Sequence, residues 1–240
     1  MKPPASIRHR SVMKISILLL TAAFIFTCAA EFPAQTVRKP AKTTPKPVTK
    51  TAAPEAVKTG DEQAFITGAK DADGWNLYES KTDLFTVSFP PTPVMTDETD
   101  EQGKRVGTRY YNPEPVTPAK LSLTIAVSDL GGTVTDPAQK TELYNGWLEG
   151  LMSPDKTGKS GVKVLSKEFA IGNTFGMEVI VDRGEYRFHG RIVCLGSKFY
   201  QWAAGSGTPV TLTPEAYAEG EKWKKKFFGS FQLLSGPEKK

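Results

Sequence analysis

Apolar and polar residues alternate with a period of two over much of the chain beyond Gly74, most plainly from Gly172 to Gly205. There Phe175, Met177, Val179 and Val181 alternate with Gly176, Glu178 and Ile180, the pattern of a strand with one buried face. Asp182-Arg183-Gly184-Glu185 carries turn residues. With Arg183-Gly184 as a two-residue loop, Val181 lies opposite Tyr186, Val179 opposite Phe188, Met177 opposite Gly190 and Phe175 opposite Ile192. Every pair on that face is then apolar or glycine, whereas a one-residue slip would set Arg187, His189 and Arg191 against the apolar set. A three-residue loop, Gly196-Ser197-Lys198, places Tyr200 beside Cys194, Trp202 beside Ile192 and Ala204 beside Gly190. The stretch predicts three antiparallel strands, the middle one buried on one face.

Around this centre the same patterning predicts strands at Gly74–Tyr78, Phe85–Phe89, Val106–Tyr111, Leu121–Val127 and Val162–Phe169, with an acidic turn over Thr96–Gly103. Asp136-Pro137 reads as a helix start, Asp as cap and Pro at the first helical position, with Gln139 placed to return the capping bond. Leu143, Tyr144, Trp147, Leu148 and Leu151 then fall on one helical stripe. Thr213-Pro214-Glu215 opens a second helix by the same logic, burying Tyr217, Gly220, Trp223 and Phe227. Lys222, Lys224, Lys225 and Lys226 are expected to be solvated in its last turns, complementing the helix dipole, before Gly229 ends it and Ser230–Leu233 adds a strand.

The first sixty residues lack this patterning. Lys2, Arg8, Arg10 and Lys14 precede an apolar run from Ile15 to Ala30 that ends in small residues. That is a secretory signal, too short for the roughly 20 apolar residues of a spanning helix; Met13-Lys14 would make a compact start to the same signal. Ile25-Phe26-Thr27-Cys28 resembles a bacterial lipobox, whose cysteine would be lipidated, but Thr27 stands where a small residue is expected, so cleavage near Ala30 is the default. Residues 31–60 are rich in Pro, Lys, Thr and Ala and read as an extended, disordered tether. Residues 61–240 are of a size to form one domain.

Charge by segment alters the basic balance. Of 31 basic and 26 acidic side chains, 10 basic but only 2 acidic fall in residues 1–60, leaving 21 against 24 and a net −3 beyond. A mildly acidic domain with scattered cations lacks the footprint of nucleic-acid binding. Cys194 is the only cysteine outside the signal, so no intramolecular disulfide is expected and the thiol reads as a buried structural one.

Catalytic chemistry is thinly represented. His189 is the only histidine outside the signal, so a histidine-based zinc cluster cannot form, and no nucleophile elbow, P-loop or dinucleotide glycine pattern occurs. No metal or other cofactor is expected. Two constellations remain. Arg187, His189 and Arg191 at strand spacing, with Glu178 opposite His189, could hold an acidic partner or anionic ligand; the alternative is a cross-strand ion network, solvated or helix-covered. The small pair Gly190 and Ala204, rimmed by Tyr200, Trp202 and Phe188, forms a notch that either holds a small ligand or receives an aromatic from a helix.

"LYESKTDLFTVSFPPTP", "GMEVIVDRGEYRFHGRIVCLGSKFYQW" and "KKFFGSF" resemble the bacterial envelope proteins of the PsbP, Mog and DcrB-type α/β/α sandwich superfamily, over roughly residues 73–234. The resemblance implies an α+β fold, an antiparallel β-sheet with helices packed on it, and a role in binding partners. It carries no catalytic signature and, fold being no guide to role, selects no partner. The expectation is a non-catalytic exported binding or assembly module, periplasmic or extracellular, recognising an envelope protein through the sheet's polar face or its rim. A carrier of a small apolar or anionic ligand and an enzyme of unrecognised type are the alternatives.

Overall fold

In the computed structural model the described residues are 70–90, 93–100, 102–155 and 158–234. The expected signal and tether, and the lipidation considered for Cys28, fall outside them. Strands β1 (Asn76–Ser80), β2 (Phe85–Phe89), β3 (Val94–Thr99), β4 (Arg105–Tyr111) and β5 (Ser122–Asp129) lead to helix α1 (Pro137–Met152). Then come β6 (Val162–Ile171), β7 (Thr174–Arg183), β8 (Tyr186–Leu195), β9 (Lys198–Gly207), helix α2 (Pro214–Ser230) and β10 (Gln232–Leu233). A seven-stranded antiparallel sheet has the order β3-β4-β5-β9-β8-β7-β6, and a three-stranded sheet has the order β1-β2-β10. The chain therefore leaves β5 through α1, enters the large sheet at its far edge, and meanders back until β9 closes on β5. This is an α+β fold.

The large sheet is covered on both faces. Tyr144, Trp147 and Leu151 of α1 pack on Met177, Val179, Val181, Phe188, Ile192, Cys194 and Phe199. The opposite core joins α2 and the small sheet to the large one: Phe85, Val87, Phe89, Phe227 and Phe231 meet Leu123, Ile125, Val127, Tyr200 and Trp202. Fully burying each large side chain contributes about 1.5–3 kcal/mol, so the two helices are fixed by their apolar stripes. Their starts are as the sequence predicts. Asp136 accepts a hydrogen bond from the Ala138 amide at 3.0 Å and Thr213 from the Ala216 amide at 3.2 Å, each followed by proline.

Several expectations are corrected. Thr96–Thr99, read as part of an acidic turn, belong to β3, whose Glu98 is 2.8 Å from Arg109 of β4; only the end of that stretch turns. Asn76–Ser80, rather than Gly74–Tyr78, forms β1, because Gly74 adopts a positive φ of 78° in the preceding turn. Helix α2 runs past Gly229 to Ser230 and buries Ala216, Lys224, Phe227 and Phe228, while Tyr217 and Trp223 are half-buried. Its lysines are not in the last turn, and Lys224 is buried rather than solvated. Lys226 pairs with Asp71 at 2.7 Å and Asp73 at 2.6 Å above the Trp75 ring, fastening α2 to the segment before β1.

Both hairpin registers also differ from the expected ones. Gly172, Gly184 and Gly196, spaced twelve residues apart, each take a positive φ of 55–62° as the first residue of a two-residue turn, the position that a type II′ turn reserves for glycine. The β7–β8 loop is thus Gly184-Glu185, which moves every pair by two residues: Val181 faces Phe188, Val179 faces Gly190 and Met177 faces Ile192. A two-residue shift keeps each side chain on its expected face. The β8–β9 loop is Gly196-Ser197, one residue shorter than expected, and an odd shift exchanges the faces of β9. Nor is β8 buried on one face only, since Val193 lies in the core under α2 while Ile192 and Cys194 lie under α1.

Candidate functional site

The corrected register sets one row of residues across all seven strands: Lys167, Glu178, Arg191, Trp202, Ile125, Tyr110 and Met95, each directly opposite the next. The row is charged at the β6–β8 end and aromatic or apolar beneath α2 and the small sheet. At its charged end the Glu178 carboxylate, only 7% exposed, accepts from His189 Nε2 at 2.9 Å and from Arg191 Nε and Nη2 at 3.0 and 2.9 Å, with Lys167 Nζ at 3.7 Å. The His189 ring lies 4.3 Å from that of Phe228. The Arg191 guanidinium stands over both Phe169 at 5.3 Å and Phe228 at 5.1 Å, cation–π contacts that hold its plane. Four residues along the ladder from the Glu178–Arg191 pair, Arg187 binds Asp182 through two 2.7 Å bonds and reaches Tyr217 at 3.3 Å.

Thus Arg187, His189, Arg191 and Glu178 do come together, in a different arrangement from that expected. His189 lies opposite Ile180, and Arg191, not His189, lies opposite Glu178. Glu178, His189 and Arg191 form one ion network, and Arg187 pairs apart from it with Asp182; α2 covers both, with Lys224 Nζ of that helix 3.2 Å from Ser206 Oγ and paired with Glu221. Burial lowers the His189 pKa, outweighing the bond from Glu178, which raises it. Burial would raise the Glu178 pKa, but the His189 bond and the Arg191, His189 and Lys167 charges together bring it below the ordinary carboxylate value. The cluster is therefore a carboxylate held ionised by the imidazole and guanidinium bonded to it, with Lys167 beyond them. Sequence patterning marks none of Phe228, Phe169 and Lys167 as part of this site and places Lys224 in solvent, because a contact between sheet and helix leaves no trace in strand periodicity.

The notch does not exist as one place. Gly190 and Phe188 lie on the α1 face, where a Cβ on Gly190 would come within 2.6 Å of Phe188 and 3.0 Å of Trp147. Tyr200, Trp202 and Ala204 lie on the α2 face opposite Val193, Arg191 and His189. The physical reason is the odd shift of β9. Trp202 stacks on Phe231 at 4.2 Å, and Phe169 stands perpendicular to it at 5.9 Å; its buried indole N–H has no hydrogen-bond partner. The α1 face is filled by helix side chains instead, Trp147 donating to Gln201 at 2.7 Å and Tyr144 bridging the Phe175 carbonyl and the Cys194 amide at 2.9 Å each. Burial pushes the Tyr144 pKa up to about 12 and raises that of Cys194, whose thiol is buried and free.

A second polar cluster lies at the other end of the same face and was not foreseen. Asp83, 1% exposed, accepts from Tyr110 at 2.6 Å and Lys198 at 2.8 Å, with Arg105 3.5 Å away and Ser80 bonded to Tyr110 at 3.0 Å. Burial and the Asp83 charge push the Tyr110 pKa well up. Positive φ at Leu84, 56°, turns the chain so that Asp83 points inward. Among the described residues no group of His, Cys, Asp and Glu could hold a metal ion, and no helix is long and apolar enough to cross a membrane.

No family model matches the chain, and no curated protein sequence matches it. Among solved structures it is similar to the solution structure of cyanobacterial PsbP (CyanoP) from Synechocystis sp. PCC 6803, at 11% identity and a TM-score of 0.47, over 70% of this chain and 96% of that one. The α+β assignment rests on the strands and helices themselves.

Proposed function

We propose that this chain is an exported, non-catalytic binding or assembly module of the bacterial cell envelope that recognises a protein partner at the rim of its large sheet. The observation that carries this reading is the state of β6. It is the terminal strand, ten residues long, with Val162 65% and Val164 51% exposed. By contrast, the charged residues of the sheet face are bonded to one another beneath α2, and surface large enough to bind a protein is sought where apolar groups remain open. The tether supplies reach from the membrane or wall.

The test places a photo-cross-linker on an introduced cysteine at exposed Ser166 of β6, with Asn145 on the exposed side of α1 as the control. The expected result in the native envelope is a discrete protein adduct from position 166 and none from 145. An adduct from 145 alone, or from neither, removes the rim reading.

A further inference from the structure

Resting on the rim reading above, we infer that β6 accepts an eighth strand from an extended segment of the partner, one carrying an acidic residue flanked at two positions on either side by apolar residues. A terminal strand offers unpaired backbone donors and acceptors, and strand addition uses these for affinity and alternate side chains for specificity. On β6 a bulge at Val164, between Lys163 and Leu165, interrupts the ladder, so the regular edge runs from Leu165 to Ile171. Along that edge Leu165, Lys167 and Phe169 share the α2 face, opposite Ile180, Glu178 and Gly176. Leu165, Ile180 and Phe169 are half-buried, leaving an apolar strip open beside Lys167.

Charge fixes the middle position. Lys167 is 55% exposed and its ammonium is 3.7 Å from Glu178, which already takes shorter bonds from His189 and Arg191. The ammonium is therefore available to a carboxylate directly across the new ladder, and an opposite-charge cross-strand pair is favourable where a like-charge pair is not. The same rule disfavours a second copy. Two β6 strands paired antiparallel about a two-fold axis bring this apolar–charged–apolar triplet onto itself only with Lys167 against Lys167. The bulge and the lysines thus act against indiscriminate sheet extension while leaving the edge open to an acidic strand. The preferred pattern reads the same in both strand directions.

The probe is the capped heptapeptide Thr-Val-Thr-Glu-Thr-Val-Thr, compared with its counterpart carrying Lys at the centre, each added to the full chain. Hydrogen exchange is followed across the protein by mass spectrometry. The glutamate peptide is expected to slow exchange in residues 165–171 and to bind roughly fivefold or more tightly than the lysine peptide. Lys167→Glu should reverse that order; Lys167→Gln should equalise the two and serves where the reversal perturbs Glu178. Exchange elsewhere reports whether each variant is folded. No protection of β6 by the glutamate peptide, or equal protection by both in the native chain, overturns the strand-addition inference. A sedimentation coefficient showing a β6-paired dimer, lost in Ser166→Pro, overturns it in favour of a second copy. These outcomes leave the rim reading to its own test, the cross-link at position 166.

Discussion

Glu178 of β7 lies directly opposite Arg191 of β8, the carboxylate 2.9 Å from the guanidinium and 7% exposed. His189 of β8 reaches the same carboxylate diagonally and Lys167 of β6 lies 3.7 Å from it, so three strands meet at one anion. Removing a buried charge's partner leaves the others desolvated and unpaired, which costs more than the pair itself contributes. Glu178→Gln should therefore lower stability by about 3 kcal/mol, at the lower end for buried pairs because Arg191 keeps some solvent. The urea midpoint should fall at unchanged slope; a midpoint within error of the parent would show that Arg191 and His189 are satisfied by water.

The same cluster sets a dependence on pH. The His189 pKa is lowered by burial, so the unfolded chain binds a proton on that group where the folded one does not. The stability that His189 contributes is complete above the unfolded value of about 6.5 and is lost as pH falls through the folded value. Glu178 also has a lowered pKa, so its contribution is lost at lower pH, below the ordinary carboxylate value of about 4.3. The groups facing His189 are Glu178, Arg191 and Lys224, the last two opposing a further positive charge. Urea midpoints should decline in two stages on acidification, and His189→Gln should flatten the upper stage and shrink the lower, which Arg191 and Lys167 still sustain. Survival of the upper stage in that variant would assign it to another group.

Asp83 should be the more costly site. It is almost wholly buried, bonded to Tyr110 and Lys198 at 2.6 and 2.8 Å. Asp83→Asn removes the charge that Lys198 is held against, at a cost of about 3–5 kcal/mol. Tyr110→Phe removes the hydroxyl's hydrogen bonds to Asp83 and Ser80, about 1–3 kcal/mol including the carboxylate left short of a donor. The two changes combined should cost less than their sum, since each removes part of one network. Additive losses in a double-mutant cycle would mean that Tyr110 and Asp83 are not coupled.

What could be read beforehand divides along a physical line. Helix starts at Asp136-Pro137 and Thr213-Pro214 and the alternating face Phe175–Val181 are local, and they are found where expected. Loop length is set by glycine conformation, and the repeated Gly-X turns at Gly172, Gly184 and Gly196 were the signal that could have given it. Taking Lys198 into the last turn displaced β9 by one residue and created a notch from side chains on opposite faces. The charged cluster survived because the β7–β8 displacement was by two. Its cover by Phe228 and the Asp83 cluster depend on contacts between distant segments, for which the chain has no local mark.

Two glycines within this sheet should differ in what they tolerate. A Cβ on Gly176 would stand 2.3 Å from the Ile192 carbonyl oxygen and 2.6 Å from Phe169. The first neighbour is backbone in the adjoining strand and can move only by parting the β7–β8 ladder. A Cβ on Gly190 meets side chains, Phe188 at 2.6 Å and Trp147 at 3.0 Å, which can retreat only into a packed core beneath α1. Overpacking of that kind costs about 1–3 kcal/mol. Gly190→Ala should fall in this range with a native-like spectrum, and Gly176→Ala should exceed it, with loss of amide protection in β7 and β8. Equal costs would show that the β7–β8 ladder yields as readily as the rings under α1, and that the row joining Lys167 to Trp202 is held by its side chains rather than by its backbone.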